Sequence, residues 1–267
     1  MPSRLPISIA TVLAILTVAS CTQQEKPAVP AASPVAPAVQ AEAAPASAGP
    51  VDPGTVGSIS VTVKLDGPAP ERQPVPVGSV AACAAHWGGN PPLSTAVLVK
   101  DGLVQNSFVH IRSGLQNHEY PKADQPVELD QVGCIYTPRV VGVRVNQPVN
   151  ILNSDSMLHN VHTVSKANRP FNIAQPFKGK MDTKVFGKSE VMIKTKCDVH
   201  PWMAAFIGVV DHPYFGVTGE KGEVTISGVP PGTYQLEAWH EVFGTLTQEV
   251  TVGEKETVAA AFTFTAN

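Results

Sequence analysis

From Gly57 onward, apolar and polar positions alternate with the period of a pleated strand. Ile59, Val61, Val63 and Leu65 fall on one face and Ser60, Thr62 and Lys64 on the other, which predicts a half-buried strand over 57–65. Similar runs occupy 96–100, 104–111, 140–145, 149–153, 159–164 and 185–195, and clusters of Gly, Pro, Asn and Asp separate them. Short strands joined by turn chemistry, with few stretches of helical period, predict an all-β protein whose larger part is a β-sandwich. Past residue 216 the pattern changes scale. Gly222 to Gly232 reads Gly-Glu-Val-Thr-Ile-Ser-Gly-Val-Pro-Pro-Gly, then Tyr234, Leu236 and Ala238 alternate, and Val258, Ala260, Phe262 and Phe264 alternate again. These are three or four strands of a smaller β unit, in about fifty residues where a complete sandwich uses about 100. The reading is therefore 57–215 for the larger domain and 216–267 for the smaller module, with strand 57–65 able to pair with either.

The N-terminus is of another kind. Arg4 precedes an apolar run from Leu5 to Val18, shorter than the about 20 residues that span a bilayer, and small residues follow, so residues 1–20 read as a secretory signal. Its end, Val18-Ala19-Ser20-Cys21, resembles the lipobox of bacterial lipoproteins, which implies a lipid on Cys21; the alternative is an ordinary signal with an incidental cysteine. Residues 21–56 carry prolines at 27, 30, 34, 37, 45, 50 and 53 among alanines and valines and read as a semi-extended tether. Thr22 after the cysteine resembles lipoproteins sorted to an outer membrane. The expected address is the bacterial cell envelope, outer membrane facing the periplasm, with membrane contact through the lipid anchor only.

Composition narrows the function classes. Of 267 residues 43% are hydrophobic, which excludes a wholly disordered chain, while only 15% are charged with a net charge of −3, so no basic surface exists to hold nucleic acid. No phosphate loop, nucleophile elbow, zincin motif or dinucleotide fingerprint occurs. Of the four cysteines, Cys21 is assigned to the lipid. Cys83 and Cys134 lie in loop-like contexts and are expected to pair as a disulfide, with Cys83 and His86 as part of a second metal site the alternative.

The remaining cysteine lies in Lys196-Cys197-Asp198-Val199-His200-Pro201-Trp202-Met203, which spaces a thiolate, an imidazole and a thioether three residues apart in a Pro-containing loop. Soft sulfur with imidazole suits copper, and a trigonal His2Cys set with a long axial Met leaves one histidine to be found elsewhere. Ser154-Asp155-Ser156-Met157-Leu158-His159-Asn160-Val161 supplies it as His159. His162 is the alternative first ligand, although along a strand it points to the opposite face from His159.

His-Asn-Val followed by Cys-x-x-His-x-x-Met resembles the cupredoxins, and the Cys-x-x-His-Pro-aromatic-Met loop is similar to that of the amicyanins. The resemblance covers about residues 95 to 210. It implies a Greek-key β-sandwich holding one copper that cycles between Cu(I) and Cu(II), with His159, Cys197 and His200 as equatorial ligands and Met203 as the axial one. It also implies that Asn160 ties the two ligand loops together by hydrogen bonds. Met157 replaces Met203 only through a rearranged loop, and a core role is expected for it. The function implied is one-electron transfer rather than catalysis, through a partly exposed His200 edge to a redox partner protein docking near His200 and Trp202. The tail resembles carboxypeptidase-regulatory-like and transthyretin-like modules and the small β domain of rhamnogalacturonan lyases, a likeness that bears on fold. Two other readings stay open: copper storage or delivery, and an envelope module binding glycan or protein beside a vestigial site. A further metal site from His162, His212 and His240 would make an enzyme conceivable, but nothing in the sequence gives these three a shared address.

Overall fold

The computed structural model describes residues 49–266. The signal segment 1–20, Cys21 and tether residues up to 48 lie outside the described residues. The fold is all-β, with strands from Gly57–Asp66 to Thr257–Thr265 and, among the described residues, one short α-helix, Ala81–His86.

Gly57–Asp66 is buried at alternate positions as its pattern predicts, with Ile59, Val61 and Val63 wholly enclosed. It lies between two strands of the C-terminal stretch, antiparallel to Glu223–Val229 and parallel to Thr257–Thr265. Phe108–Ser113 joins the same assembly by pairing with Gly232–His240, whose other neighbour is Gly244–Val252. The inner faces meet in one core of Ile59, Val61, Val63, Val109, Ile111, Ile226, Leu236, Phe262 and Phe264. The tail strands thus close around two strands from before residue 114, and this core is not confined to one side of residue 216.

A second core fills the space between two other sheets. One runs Met181–Lys184, Val149–Asn153, Val127–Val132, Ile135–Thr137; the other runs Asn172–Gln175, His159–Val164, Glu190–Lys196, Ala204–Val210, Val140–Arg144. Leu129, Tyr136, Val143, Val149, Ile151, Val161, Ile193, Ile207 and Val209 interdigitate there, and Cys83, Cys134, Cys197 and Met203 belong to the same cluster. Phe108, Val140 and Val210 form a smaller cluster with Phe215 and Trp239 packed against it. The close approach requires glycine: a Cβ at Gly142 would lie 2.5 Å from the Phe215 ring, and one at Gly208 would lie 2.7 Å from Phe108. Arg139, just before Val140–Arg144, forms a salt bridge with Glu241, just after Gly232–His240.

Several elements depart from the pattern. The run 104–111 splits into Leu103–Val104 and Phe108–Ser113, because Asn106 takes a φ of 63° and its N–H donates to Thr218 O. The run 185–195 starts as strand only at Glu190, since Phe186 turns inward to the core and its carbonyl accepts from Asn146 N. The helix Ala81–His86 and the hairpin Val127–Val132 to Ile135–Thr137 carry no alternation strong enough to predict them. The Cys83–Cys134 disulfide is present, with Cα atoms 5.7 Å apart, and joins that helix to the hairpin turn. Cys83 is therefore taken, and His86 is exposed at the surface, so the pair does not form a metal site.

Candidate metal centre

Strand pairing brings the two predicted segments together. His159–Val164 runs antiparallel to Glu190–Lys196, with His162 opposite Lys196. His159, the first residue of its strand, therefore sits beside the chain as it leaves Lys196 for Cys197. The loop after Cys197 folds back at once: Met203 N donates to His200 O at 2.9 Å and Cys197 N to Met203 O at 3.3 Å. Ala204–Val210 then returns alongside Glu190–Lys196.

One ligand atom each from His159, Cys197 and His200 lies within 4.8 Å of the other two, and all three residues are buried. His159 Nδ1 faces His200 Nδ1 at 2.9 Å, and Cys197 Sγ is 3.8 Å from His200 Nδ1. Met203 is buried in the core that borders this group, at 1% exposure. Nitrogen and sulfur donors converging in a dry pocket, with the Nδ1 atoms of two imidazoles turned toward each other, are the donor chemistry that copper takes.

Asn160 ties the loops. Its side-chain oxygen accepts from Asp198 N at 2.7 Å and Val199 N at 3.4 Å, and the Cys197 thiol donates to it at 3.2 Å. Its amide group donates to Asn172 Oδ1 and Asp198 Oδ2. Alternation explains the division of labour: His159 and Asn160 point to opposite faces, so one enters the cluster while the other reaches the backbone of the facing loop. The same rule removes His162 from the cluster, since its Nδ1 pairs instead with Asp198 at 2.9 Å near the surface.

One residue escaped the sequence reading. Asp155, 5% exposed, receives His159 Nε2 at 2.9 Å, Gly133 N at 2.8 Å and Cys134 N at 2.8 Å. The donors come from a two-residue hairpin turn in which Gly133 and Cys134 both have φ near 60°. A carboxylate only accepts, so His159 carries its proton on Nε2 and turns Nδ1 to the cluster; carboxylate–imidazole pairs of this kind orient metal-binding histidines. An Asp four residues ahead of the histidine was the only local signal. Its partners lie some twenty residues upstream.

Charge follows from these contacts. Burial opposes ionisation of Asp155, yet its hydrogen bonds from His159, Cys134 and Gly133 hold its carboxyl below the usual range. For His159 burial works downward, but the hydrogen bonds to Asp155 and Cys197 prevail and raise it to about 9. The Cys197 thiol is pushed up by burial and brought below its ordinary value by His159 and by main-chain N–H groups of Asn160, His200 and Val199. His200 is lowered by burial and by the neighbouring His159 charge. These contacts favour the charged forms of Asp155, His159 and Cys197 and the neutral form of His200.

The edge of His200 is not exposed as expected. It is 3% accessible, because Trp202 packs over it with ring centroids 5.3 Å apart and is itself fixed by donating from Nε1 to Cys134 O. Leu158 and Val199, 44% and 46% exposed, are the apolar side chains that reach solvent beside the ligand residues. Among the described residues, His162, His212 and His240 do not form a common cluster. His212 stacks between His110 and Tyr214, and His240 stacks on Phe243.

No family model matches the chain, and no curated protein matches it. Solved structures do. A purple cupredoxin from Nitrosopumilus maritimus is 21% identical over 31% of this chain and 98% of its own, with a TM-score of 0.27. A variant of amicyanin in its Cu(I) form is 21% identical over 38% of this chain and 97% of its own, at 0.28. A Cu-containing nitrite reductase from Thermus scotoductus SA-01 is 19% identical over 45% of this chain, which spans 27% of that enzyme, at 0.31.

Proposed function

We propose that the protein binds one copper ion through His159, Cys197 and His200, with Met203 as a weaker fourth ligand, and that it transfers single electrons. The convergence of those three side chains in a buried pocket, with Asp155 fixing the tautomer of His159, carries the reading. Bound there, copper would supply a one-electron couple between Cu(I) and Cu(II).

The chain's own residues prepare that chemistry. Asp155 keeps the His159 proton on Nε2, so the proton on Nδ1 is the one that leaves when a metal is taken up. Asn160 holds the Cys197 loop against His159–Val164, so the donor positions do not depend on the ion. The pocket excludes water: His159 is wholly buried and Cys197 and His200 nearly so. A rigid, dry pocket keeps one geometry for both oxidation states and thereby lowers the reorganisation that electron transfer demands.

Trp202, with the exposed Val199 and Leu158 near it, is the docking face we propose for a redox partner. In the full reading a lipid on Cys21 and the tether after it anchor the protein to the cell envelope, and residues 216–267 complete a second β unit with Gly57–Asp66 and Phe108–Ser113.

Voltammetry of the copper-loaded protein tests the function. A reversible one-electron wave that survives repeated cycling is expected. Release of the ion on each reduction would instead support storage or delivery.

A further inference from the structure

The second core holds a group of sulfur atoms that the proposed copper ligands do not use. The bridged sulfurs of Cys83 and Cys134 and a ring nitrogen of His200 lie within 4.8 Å of one another. Met157 Sδ is 3.5 Å from Cys134 Sγ and 3.7 Å from Cys83 Sγ. Both cysteines are wholly buried. Three sulfurs therefore meet beside the first centre, and His200 is the wall between the two.

As a disulfide the pair is a poor ligand, because neither sulfur carries charge. Reduced, it presents two thiolates and a thioether, a set that selects soft monovalent copper over harder ions. We propose that Cys83 and Cys134, once reduced, form with Met157 a second site for one Cu(I) ion, which the disulfide closes and a dithiol reductant opens. The dithiol gives two electrons and two protons: the S–S bond breaks, two thiols form, and the reductant leaves as a disulfide. Cu(I) then displaces the two thiol protons and forms two Cu–S bonds without changing its own oxidation state. The donors differ from those of the first centre, so the inference does not depend on that centre's occupancy.

Access to the buried bond comes from the helix that carries Cys83. Ala81–His86 is six residues long, has no side-chain cap at Val80, and buries Cys83 alone. A helix of this length has little stability of its own. It is held by the disulfide and by Trp87 Nε1 donating to Gly133 O at 2.8 Å. Local opening there costs far less than opening a central strand.

The test uses the full-length chain with Cys21→Ala, free of metal and under anaerobic conditions. Protein with the disulfide intact is compared with protein reduced by a phosphine that is then removed. Cu(I) is titrated into each against bicinchoninate, a coloured Cu(I) chelator. The proposal predicts one more tightly held Cu(I) per chain after reduction, lost in both Cys83→Ser and Cys134→Ser, and held about tenfold less tightly in Met157→Leu. Equal numbers in the two redox states overturn it. So does an additional ion that persists in both serine variants, or a reduced wild-type protein that has lost its near-ultraviolet circular dichroism. An oxidised protein that binds none and a reduced protein that binds one would refute the first centre and leave the second standing.

Discussion

Asp155→Asn isolates the group that orients His159. In the wild type Oδ1 accepts from Gly133 N, and Oδ2 accepts from both Cys134 N and His159 Nε2. Asparagine has a single oxygen. Placed where Oδ2 was, it leaves its NH2 facing the Gly133 N–H; placed where Oδ1 was, it faces two donors. In the better orientation one buried N–H is orphaned, at about 1–3 kcal/mol, and two charge-assisted bonds become neutral ones, at about 1 kcal/mol each. The expected loss is about 3 to 5 kcal/mol of unfolding free energy at pH 7, read by urea denaturation of the metal-free protein. The variant also removes the carboxylate charge and weakens the hydrogen bond that help to raise His159, so its titration, followed by NMR, moves down from about 9. A group raised on folding stabilises fully below its unfolded value of 6.5 and ceases to do so as pH rises through about 9. The deficit should therefore be largest below pH 6.5 and shrink above pH 9. A variant within about 0.5 kcal/mol of wild type, with His159 titrating as before, would refute the reasoning.

Asn160→Ala strips the acceptor from Asp198 N, Val199 N and the Cys197 thiol, so amide exchange at 198 and 199 should quicken about tenfold or more, while amides in Gly57–Asp66 keep their rates. Burial lowers His212 and His240 to about 4. Both are neutral in the fold and gain protons near 6.5 when unfolded, so their contribution is full above 6.5 and lost as pH falls toward 4, by up to about 3 kcal/mol each. Denaturation at pH 4.5 and 7 checks this, with a shallower acid slope expected in His212→Gln. Replacing Cys83 and Cys134 together by serine opens a loop of sequence separation 51 and should cost about 4 kcal/mol in the chain-entropy account, seen as a lower urea midpoint.

The sequence was legible where a pattern is local. Strand Gly57–Asp66 follows from its alternation, and the opposed directions of His159 and His162 follow from the same period. The Cys197 to Met203 spacing implied a tight loop, and two backbone hydrogen bonds close it. Asp155 acts on a turn made by Gly133 and Cys134, which lacks the Asn-Gly signature of such turns, so neither the turn nor the carboxylate's role was readable. The burial of His200 depends on Trp202 reaching the carbonyl of Cys134, a contact across 68 positions. The parallel pairing of Gly57–Asp66 with Thr257–Thr265 joins segments from opposite ends of the described chain, where alternation gives each strand's face but not its neighbour.

The most direct test of the account is the visible and electron paramagnetic resonance spectrum of the full-length Cys21→Ala protein with one equivalent of Cu(II). An intense thiolate-to-copper band, present in the wild-type site and absent from Cys197→Ala and His159→Ala, is the predicted result. A colourless protein, or copper binding that is indifferent to Cys197, would contradict it.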